Sequence, residues 1–276
     1  MGYFLDFSLE IWYNKATRRT ERYGGVMPRF FVRQDQISDT SITILGEDAH
    51  HIGRSLRMAV GDALVVCDMQ GNEYDCQVDS FDGDREVVVR ILQKKHSENE
   101  PPCVIRLFQA LPKGDKLDSV IQKAVECGVS EIIPFESERC VVKMKADGEE
   151  RKNERRAKIA AEAAKQCGRS VLPPVHRTVR YAEMLRMATE SELCLFCYEG
   201  EGTHPIGAIL NAWADRLPES ISIVIGSEGG FSIAEAEAAK ALGVQMTGLG
   251  KRILRTETAS TFVLSCIAYA TELQNG

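Results

Sequence analysis

An α/β fold is predicted by three features of the chain. Residues 30–92 hold short apolar or alternating runs punctuated by Gly, Asp and Asn, the pattern of a small all-β unit. Residues 104–273 alternate strand-like and helix-like runs, which implies a parallel sheet with crossover helices. Between them lies His96–Pro102, HSENEPP, polar and proline-ended, where a domain boundary fits.

The first region predicts strands at Phe30–Val32, Ile42–Leu45, Ala63–Cys67, Tyr74–Val78 and Val87–Leu92. His50–Met58 reads as a helical turn carrying His50, His51, Arg54 and Arg57. Several short strands at this spacing suggest a small barrel. Residues 1–26 match neither pattern and are expected to be an extension ahead of it. They lack the basic-then-apolar order of a signal peptide.

In the second region Val104–Gln109 is a strand and Asp115–Cys127 a helix, with Leu117, Val120, Ile121, Ala124 and Val125 on one face. Glu131–Phe135 is the next strand, and Glu149–Lys165 a charge-rich helix leading to Gln166, Gly168 and Arg169. That helix is an ordinary solvated face or an RNA-facing one; the charges alone allow both. Leu193–Cys197 is a strand followed by a glycine-bearing loop at Tyr198–Gly202, and Pro205 suits the first turn of a helix reaching Trp213.

The chain is organised around residues 221–268. Ile221–Ile225 is an apolar, β-branched run, as in a buried parallel strand. Gly226, Gly229 and Gly230 follow, where bare backbone can approach a ligand. Ser232 and Glu235 form a capping-box pair that opens a helix to about Leu242, stopped by Gly243. A strand near Val244–Leu249 runs into the Gly248–Lys251 loop, then Arg252, Arg255, Thr256, Glu257 and Thr258 lead into a last helix. Both glycine loops sit at carboxyl ends of strands, where open α/β sheets bind ligands.

The loops lack the G-x-x-x-x-G-K-[ST] phosphate motif and the G-x-G-x-x-G dinucleotide motif, so ATP and NAD are disfavoured. Nine cysteines scattered over 276 residues suggest a reducing cytoplasm rather than a disulfide framework. Cys194 and Cys197 lie in the apolar run LCLFCY with no second pair to complete a zinc site, and read as structural. No metal is expected. No apolar run approaches the roughly 20 residues of a membrane span, so no membrane partner is expected either. The net charge of −6 is mildly unfavourable for nucleic acid, but binding needs only a local basic surface.

IGSEGG followed by LGKRILRTETA resembles the paired loops of the SPOUT methyltransferases, in the branch that makes N3-methyluridine in 16S rRNA. MPRFFV, HHIGRSLRM, QALPKGDKLDSVIQKAVECGVSEIIPFESERCVVK and AKQCGRSVLP are similar to the same branch, in the same order from Met27 onward. The resemblance implies a PUA-like β-barrel over 27–97 that helps grip RNA and a SPOUT trefoil-knot domain over 102–276. It also implies S-adenosylmethionine as cofactor and a homodimer with 16S rRNA, within the small ribosomal subunit, as partner. The cofactor is expected on Leu195, Cys197, Tyr198, Gly200, Ile225, Gly226, Glu228, Gly229, Gly230, Leu249, Gly250, Ile253, Leu254, Thr258 and Ala259. RNA is expected on Arg29, Arg54, Arg57, Lys113, Arg139, Arg169 and Arg252. Arg255 is the choice for stabilising the uracil anion. Glu257 either orients Arg255, relays the N3 proton, or is simply an acid favoured by a helix N-terminus. Apolar positions on several sides of the last helix, among them Val263, Leu264, Ile267 and Tyr269, suggest a face that a monomer struggles to bury. Two other classes compete: an RNA-binding module without turnover, and a nucleotide enzyme of unrelated chemistry. Intact glycine loops weigh against the first, and the missing phosphate motifs against the second.

Overall fold

A computed structural model describes residues 27–144 and 148–274. The expectation for residues 1–26 lies outside the described residues. The chain divides into two compact units, one containing the described residues to Glu100 with Lys165–Leu172, the other Pro101–Ala164 with the described residues from Pro173 onward. The division falls inside the polar linker. That Lys165–Leu172 groups with the first unit was not legible in composition.

The first unit is a five-stranded mixed sheet. Its elements are β1 (Arg29–Phe31), β2 (Ser41–Leu45), α1 (Gly46–His50, continued by a π-helical turn at His51–Ser55), β3 (Ala63–Cys67), β4 (Asn72–Asp82) and β5 (Glu86–His96). The order is β1-β3-β4-β5-β2, with β1 parallel to β3 and the other pairs antiparallel. β1 and β2 end the order without pairing to each other, so the sheet is a half-barrel rather than a closed one. β4 and β5 each run 11 residues, longer than the apolar pattern suggests, because their polar ends go on pairing past the core. Two register shifts in β4, at Asp75/Cys76 and Val78/Ser80, let the long hairpin bend. Phe30, Ile42, Ile44, Ile52, Leu64, Val66, Val78 and Val89 form the core on one side of it.

The second unit holds β6 (Val104–Ala110), α2 (Lys116–Glu126), β7 (Glu131–Glu136), α3 (Glu149–Cys167, its last residues in the first unit), β8 (Val179–Arg180), α4 (Tyr181–Ala188), β9 (Leu193–Cys197), β10 (His204–Pro205), α5 (Ile206–Asn211), β11 (Ser220–Ile225), α6 (Ile233–Ala241), β12 (Gln245–Gly248) and α7 (Thr256–Ala268, continued by a π-helical turn to Leu273). The five apolar residues predicted for one face of α2 are all buried. α4 escapes sequence periodicity, since eight residues give only about two turns, yet Met184, Leu185 and Ala188 bury one side of it.

All pairings in this seven-stranded sheet are parallel, in the order β10-β12-β9-β11-β6-β7-β8. The chain lays down β6, β7 and β8 toward one edge, then returns for β9 and β10 on the other side. β11 afterwards enters between β6 and β9, and β12 between β9 and β10. Such late insertions are the arrangement that a threaded chain requires. They also make β12, β9 and β11 neighbours, so three loops leave adjacent carboxyl ends. That brings the site together.

Val263, Leu264 and Ile267 are fully buried within the single chain. The argument for a dimer from those three residues therefore fails. The exposed apolar side chains near this end are Tyr269 and Leu273.

Candidate active site

The three loops enclose a cavity of about 770 Å³. Its walls come from Cys197, Tyr198 and Gly200 after β9, from Ile225, Gly226, Glu228, Gly229 and Gly230 after β11, and from Leu249, Gly250, Ile253, Leu254 and Arg255 after β12, with Ala259 behind. Apart from Arg255, expected to act on the uracil, those residues were all expected to hold the cofactor. Leu195 and Thr258 were expected too, but the structure places both elsewhere. Leu195 is fully buried inside β9, paired on both sides, and Thr258 is an exposed residue of α7.

Local chemistry explains how the β11 loop holds its course. Ser232 caps α6 and Glu235 returns the bond to the Ser232 N–H, the capping box read from sequence. The other Glu235 oxygen accepts from the Glu138 N–H at 2.8 Å, so one buried carboxylate also secures the loop carrying Arg139. Phe231 packs on Phe196 with ring centroids 4.3 Å apart and stacks on Phe135 at 6.3 Å. Gly229 leaves little room for a side chain: a Cβ there would lie 3.0 Å from Arg139 Cβ and 3.1 Å from its backbone oxygen, so the Arg139 loop would have to give by a few tenths of an ångström. Gly250 has φ +102°, a conformation that side chains resist.

A buried hydrogen-bond chain ties this loop to α7. Thr256 Oγ1 donates to the Gly226 carbonyl at 2.7 Å and accepts from Gln109 Nε2 at 2.9 Å. Gln109 is fully buried at the end of β6. Neither Gln109 nor Lys116 was singled out from sequence, and Thr256 read only as a helix-opening residue. A polar residue near the carboxyl end of a mostly apolar strand, as in VIRLFQA, was the available signal.

Arg255 occupies the N-cap position of α7 without a side-chain cap bond and is exposed on the lip of the cavity. Its guanidinium makes no hydrogen bond or ion pair to protein among the described residues. Glu257 does not touch it; the Glu257 carboxylate lies 3.8 Å from Lys116 Nζ, and its buried Oε2 has no hydrogen-bond donor among the described residues. Direct orientation of Arg255 by Glu257 is thereby overturned. Lys116 Nζ also bonds Glu228 Oε1 at 2.7 Å.

Of the residues expected on RNA, Arg139 and Arg252 line the cavity and are exposed, and Lys113 is exposed nearby in sequence to Lys116. Arg54 is exposed with a surface partner, Asp84, and Arg57 is exposed at φ +51°. Arg29 and Arg169 are corrected. Arg29 pairs with Glu73 at 2.8 Å and its side chain is only 11% exposed. Arg169 pairs with Glu100 at 2.6 Å and is 5% exposed. A guanidinium so buried must be paired in place, and neither is open to phosphate. In α3, Arg156 is likewise buried, bonded to Glu149 and Thr178, and Arg155 pairs with Asp118, which thins the basic face.

The cavity suits S-adenosylmethionine. Its glycines present bare N–H and C=O groups, Ile225, Leu249 and Leu254 supply apolar wall, and the buried Ser227 hydroxyl has no partner among the described residues. Burial pushes the Cys194 thiol up to about 12 and raises that of Cys197 as well, which keeps both as neutral wall and packing groups. No group of metal-ligating side chains occurs among the described residues.

Comparison with known proteins decides the family. An RNA methyltransferase domain model matches residues 99–268, and an RNA methyltransferase PUA domain model matches residues 44–92. The ribosomal RNA small subunit methyltransferase E of Bacillus subtilis is 36% identical over 255 residues, covering 91% of this chain and 99% of its own. The chain belongs to the ribosomal RNA small subunit methyltransferase E family. The Synechocystis member is 32% identical over 240 residues, 87% of this chain and 76% of its own. The Neisseria gonorrhoeae member, solved bound to S-adenosyl methionine, superposes with a TM-score of 0.77 at 29% identity, covering 88% of this chain and 97% of its own. The half-barrel and the parallel sheet with its late-inserted strands are thus the PUA-like and SPOUT-type parts of this family's fold.

Proposed function

We propose that the protein methylates N3 of a uridine in 16S rRNA of the small ribosomal subunit, using S-adenosylmethionine, in the cytoplasm and as a homodimer. The observation that carries this reading is the Arg255 guanidinium, unpaired among the described residues, at the lip of a cavity lined by both glycine loops and suited to the cofactor.

Uracil N3 carries a proton and is a poor nucleophile until that proton leaves. The anion then spreads its charge to O2 and O4, where Arg255 donates hydrogen bonds, as oxyanion donors do in acyl transfer. A guanidinium already paired in the protein would have little to offer. Glu257, in the first turn of α7 next to the cavity-lining Thr256, serves as a relay for the N3 proton. When bound, S-adenosylmethionine supplies a methyl group on a cationic sulfonium. Lys116, Arg139, Lys251, Arg252 and Arg255 outnumber Glu199 and Glu228 around the cavity. Apolar and backbone wall therefore suits the sulfonium, and the cations suit the RNA. The base leaves its stack to reach the cavity, and Lys113, Arg139 and Arg252 hold the flanking phosphates. Arg54 and Arg57 extend the grip on the PUA-like unit, which the buried Arg29 and Arg169 do not. Exposed Tyr269 and Leu273 at the end of α7 support the dimer, and sedimentation tests it.

Calorimetry should show binding of S-adenosylmethionine and none of ATP or NAD. Tritiated methyl should then enter small subunits that lack the modification. Binding without transfer to any rRNA would instead mark an RNA-binding module that keeps the fold.

A further inference from the structure

Lys116 opens α2, where a cation is out of place by local rules. A helix N-terminus carries partial positive charge and favours acids. Its surroundings account for it. Nζ bonds Glu228 Oε1 at 2.7 Å and stands 3.8 Å from Glu257 Oε2. Glu228 belongs to the loop after β11, and Glu257 to the first turn of α7, two residues beyond Arg255. One ammonium therefore serves two carboxylates on separate elements.

The two depend on it unequally. Glu228 also accepts from the Lys113 N–H at 3.1 Å. Burial pushes its carboxyl upward, but the Lys116 bond and these backbone contacts outweigh burial and hold it below the ordinary range. Glu257 Oε2, in contrast, is buried with no hydrogen-bond donor among the described residues. At 3.8 Å the ammonium lends it charge without a hydrogen bond. Lys116 is the one cation within 4 Å of the Glu257 carboxylate among the described residues, whereas Glu228 has the Lys113 N–H as well, so Glu257 loses its only such partner when Lys116 is removed.

We infer that Lys116 is a positioning residue for methyl transfer, holding the Glu257 carboxylate in place and tying the start of α7 to the loop of Glu228. The inference rests on the reading that places proton removal at this end of the cavity. It predicts a rate effect separable from cofactor binding, because Glu228 keeps its Lys113 contact when Lys116 is gone.

The test measures methyl incorporation into unmodified small subunits for Lys116→Met, Lys116→Arg, Glu257→Gln and the Lys116→Met/Glu257→Gln double variant, with cofactor affinity by calorimetry. Lys116→Met should lose ten-fold or more in kcat, with the S-adenosylmethionine Kd within three-fold of wild type. Lys116→Arg should recover to within three-fold of the wild-type rate. The double variant should be no slower than the slower single, since two residues acting as one unit do not multiply. A Lys116→Met rate within two-fold of wild type overturns the inference. So do multiplied losses in the double variant, or a Kd that worsens as much as kcat, which would make Lys116 a holder of the cofactor loop. Should Lys116→Met not fold, Lys116→Gln carries the same expectations. Methyl counts are read whatever the product, and the product nucleoside is mapped separately. Transfer to another atom overturns the N3 reading alone; an unaffected Lys116→Met overturns the lysine inference alone.

Discussion

Thr256→Val removes a hydroxyl and keeps nearly the same volume. Thr256 is 5% exposed, and its Oγ1 joins Gln109 Nε2 at 2.9 Å to the Gly226 carbonyl at 2.7 Å. Valine supplies neither bond. Gln109 Nε2 keeps its contact with the Ala110 carbonyl at 3.0 Å, so the amide is only partly orphaned. Each buried polar group left without a partner costs about 1–3 kcal/mol, and the added methyl returns about 0.8 kcal/mol. The net loss is on the order of 2 kcal/mol, a fall in Tm of about 4–8 °C for a unit of this size. Urea unfolding followed by the fluorescence of Trp213, in the same unit, should show a lower midpoint at unchanged slope. Cofactor affinity should weaken alongside, because the Gly226 carbonyl belongs to the cavity wall. Thr256→Ser keeps the hydroxyl and should lose much less. A Thr256→Val protein within about 0.5 kcal/mol of wild type, the scatter of neutral surface changes, with unaltered cofactor affinity would refute the claim that this chain of bonds holds the loop to α7.

Other perturbations have equally definite outcomes. Arg255→Ala should leave cofactor affinity within a few-fold and lower turnover on the order of 100-fold, with partial recovery as rising pH lets solvent take more of the N3 proton; loss of cofactor binding with turnover intact would reassign Arg255 to the cofactor. Gly229→Ala places a Cβ against the Arg139 backbone, and calorimetry should show cofactor affinity at least about ten-fold weaker, an order equal to 1.4 kcal/mol of strain. Arg57→Ala and Arg252→Ala should each flatten the salt dependence of RNA affinity by about 0.7–0.9 in log–log slope, while an unchanged slope would move the RNA surface elsewhere. Burial pushes the Glu73 carboxyl upward, but bonds from Arg29 and Ser97 outweigh it and hold it below 4.5. A depressed acid stabilises the fold above its unfolded value and loses that contribution as pH falls through the depressed one. Glu73→Gln should therefore be less stable than wild type at pH 7, and the gap measured by urea unfolding should narrow below about pH 4.5.

Much of this site is visible in short-range pattern. The capping box at Ser232 and Glu235 is local chemistry, so it reads correctly from four residues. β9 falls at Leu193–Cys197 as its apolar run suggests. Glycines after β11 and β12 mark the cavity walls because close backbone approach needs them. What does not read is anything set by partners distant in sequence. Whether a guanidinium meets solvent or a buried carboxylate depends on residues 44 positions away for Arg29 and 69 for Arg169. Lys116 looks like one more surface lysine until α2, the β11 loop and α7 are brought together. Helical spacing made Val263, Leu264 and Ile267 look surplus to one chain, yet the interior of that chain takes all three. The barrel left open and the strands inserted late are likewise matters of sheet order, which periodicity does not encode.

The central claim is that Arg255 and its cavity act on uracil N3. Small subunits lacking the modification should be incubated with the protein and labelled S-adenosylmethionine, and their 16S rRNA digested to nucleosides and separated. The account predicts that the label enters a single uridine and elutes as N3-methyluridine, and that Arg255→Ala suppresses that one peak. Label on a ring carbon, on a ribose or on another base would contradict it, since none of those reactions needs an anion on uracil N3.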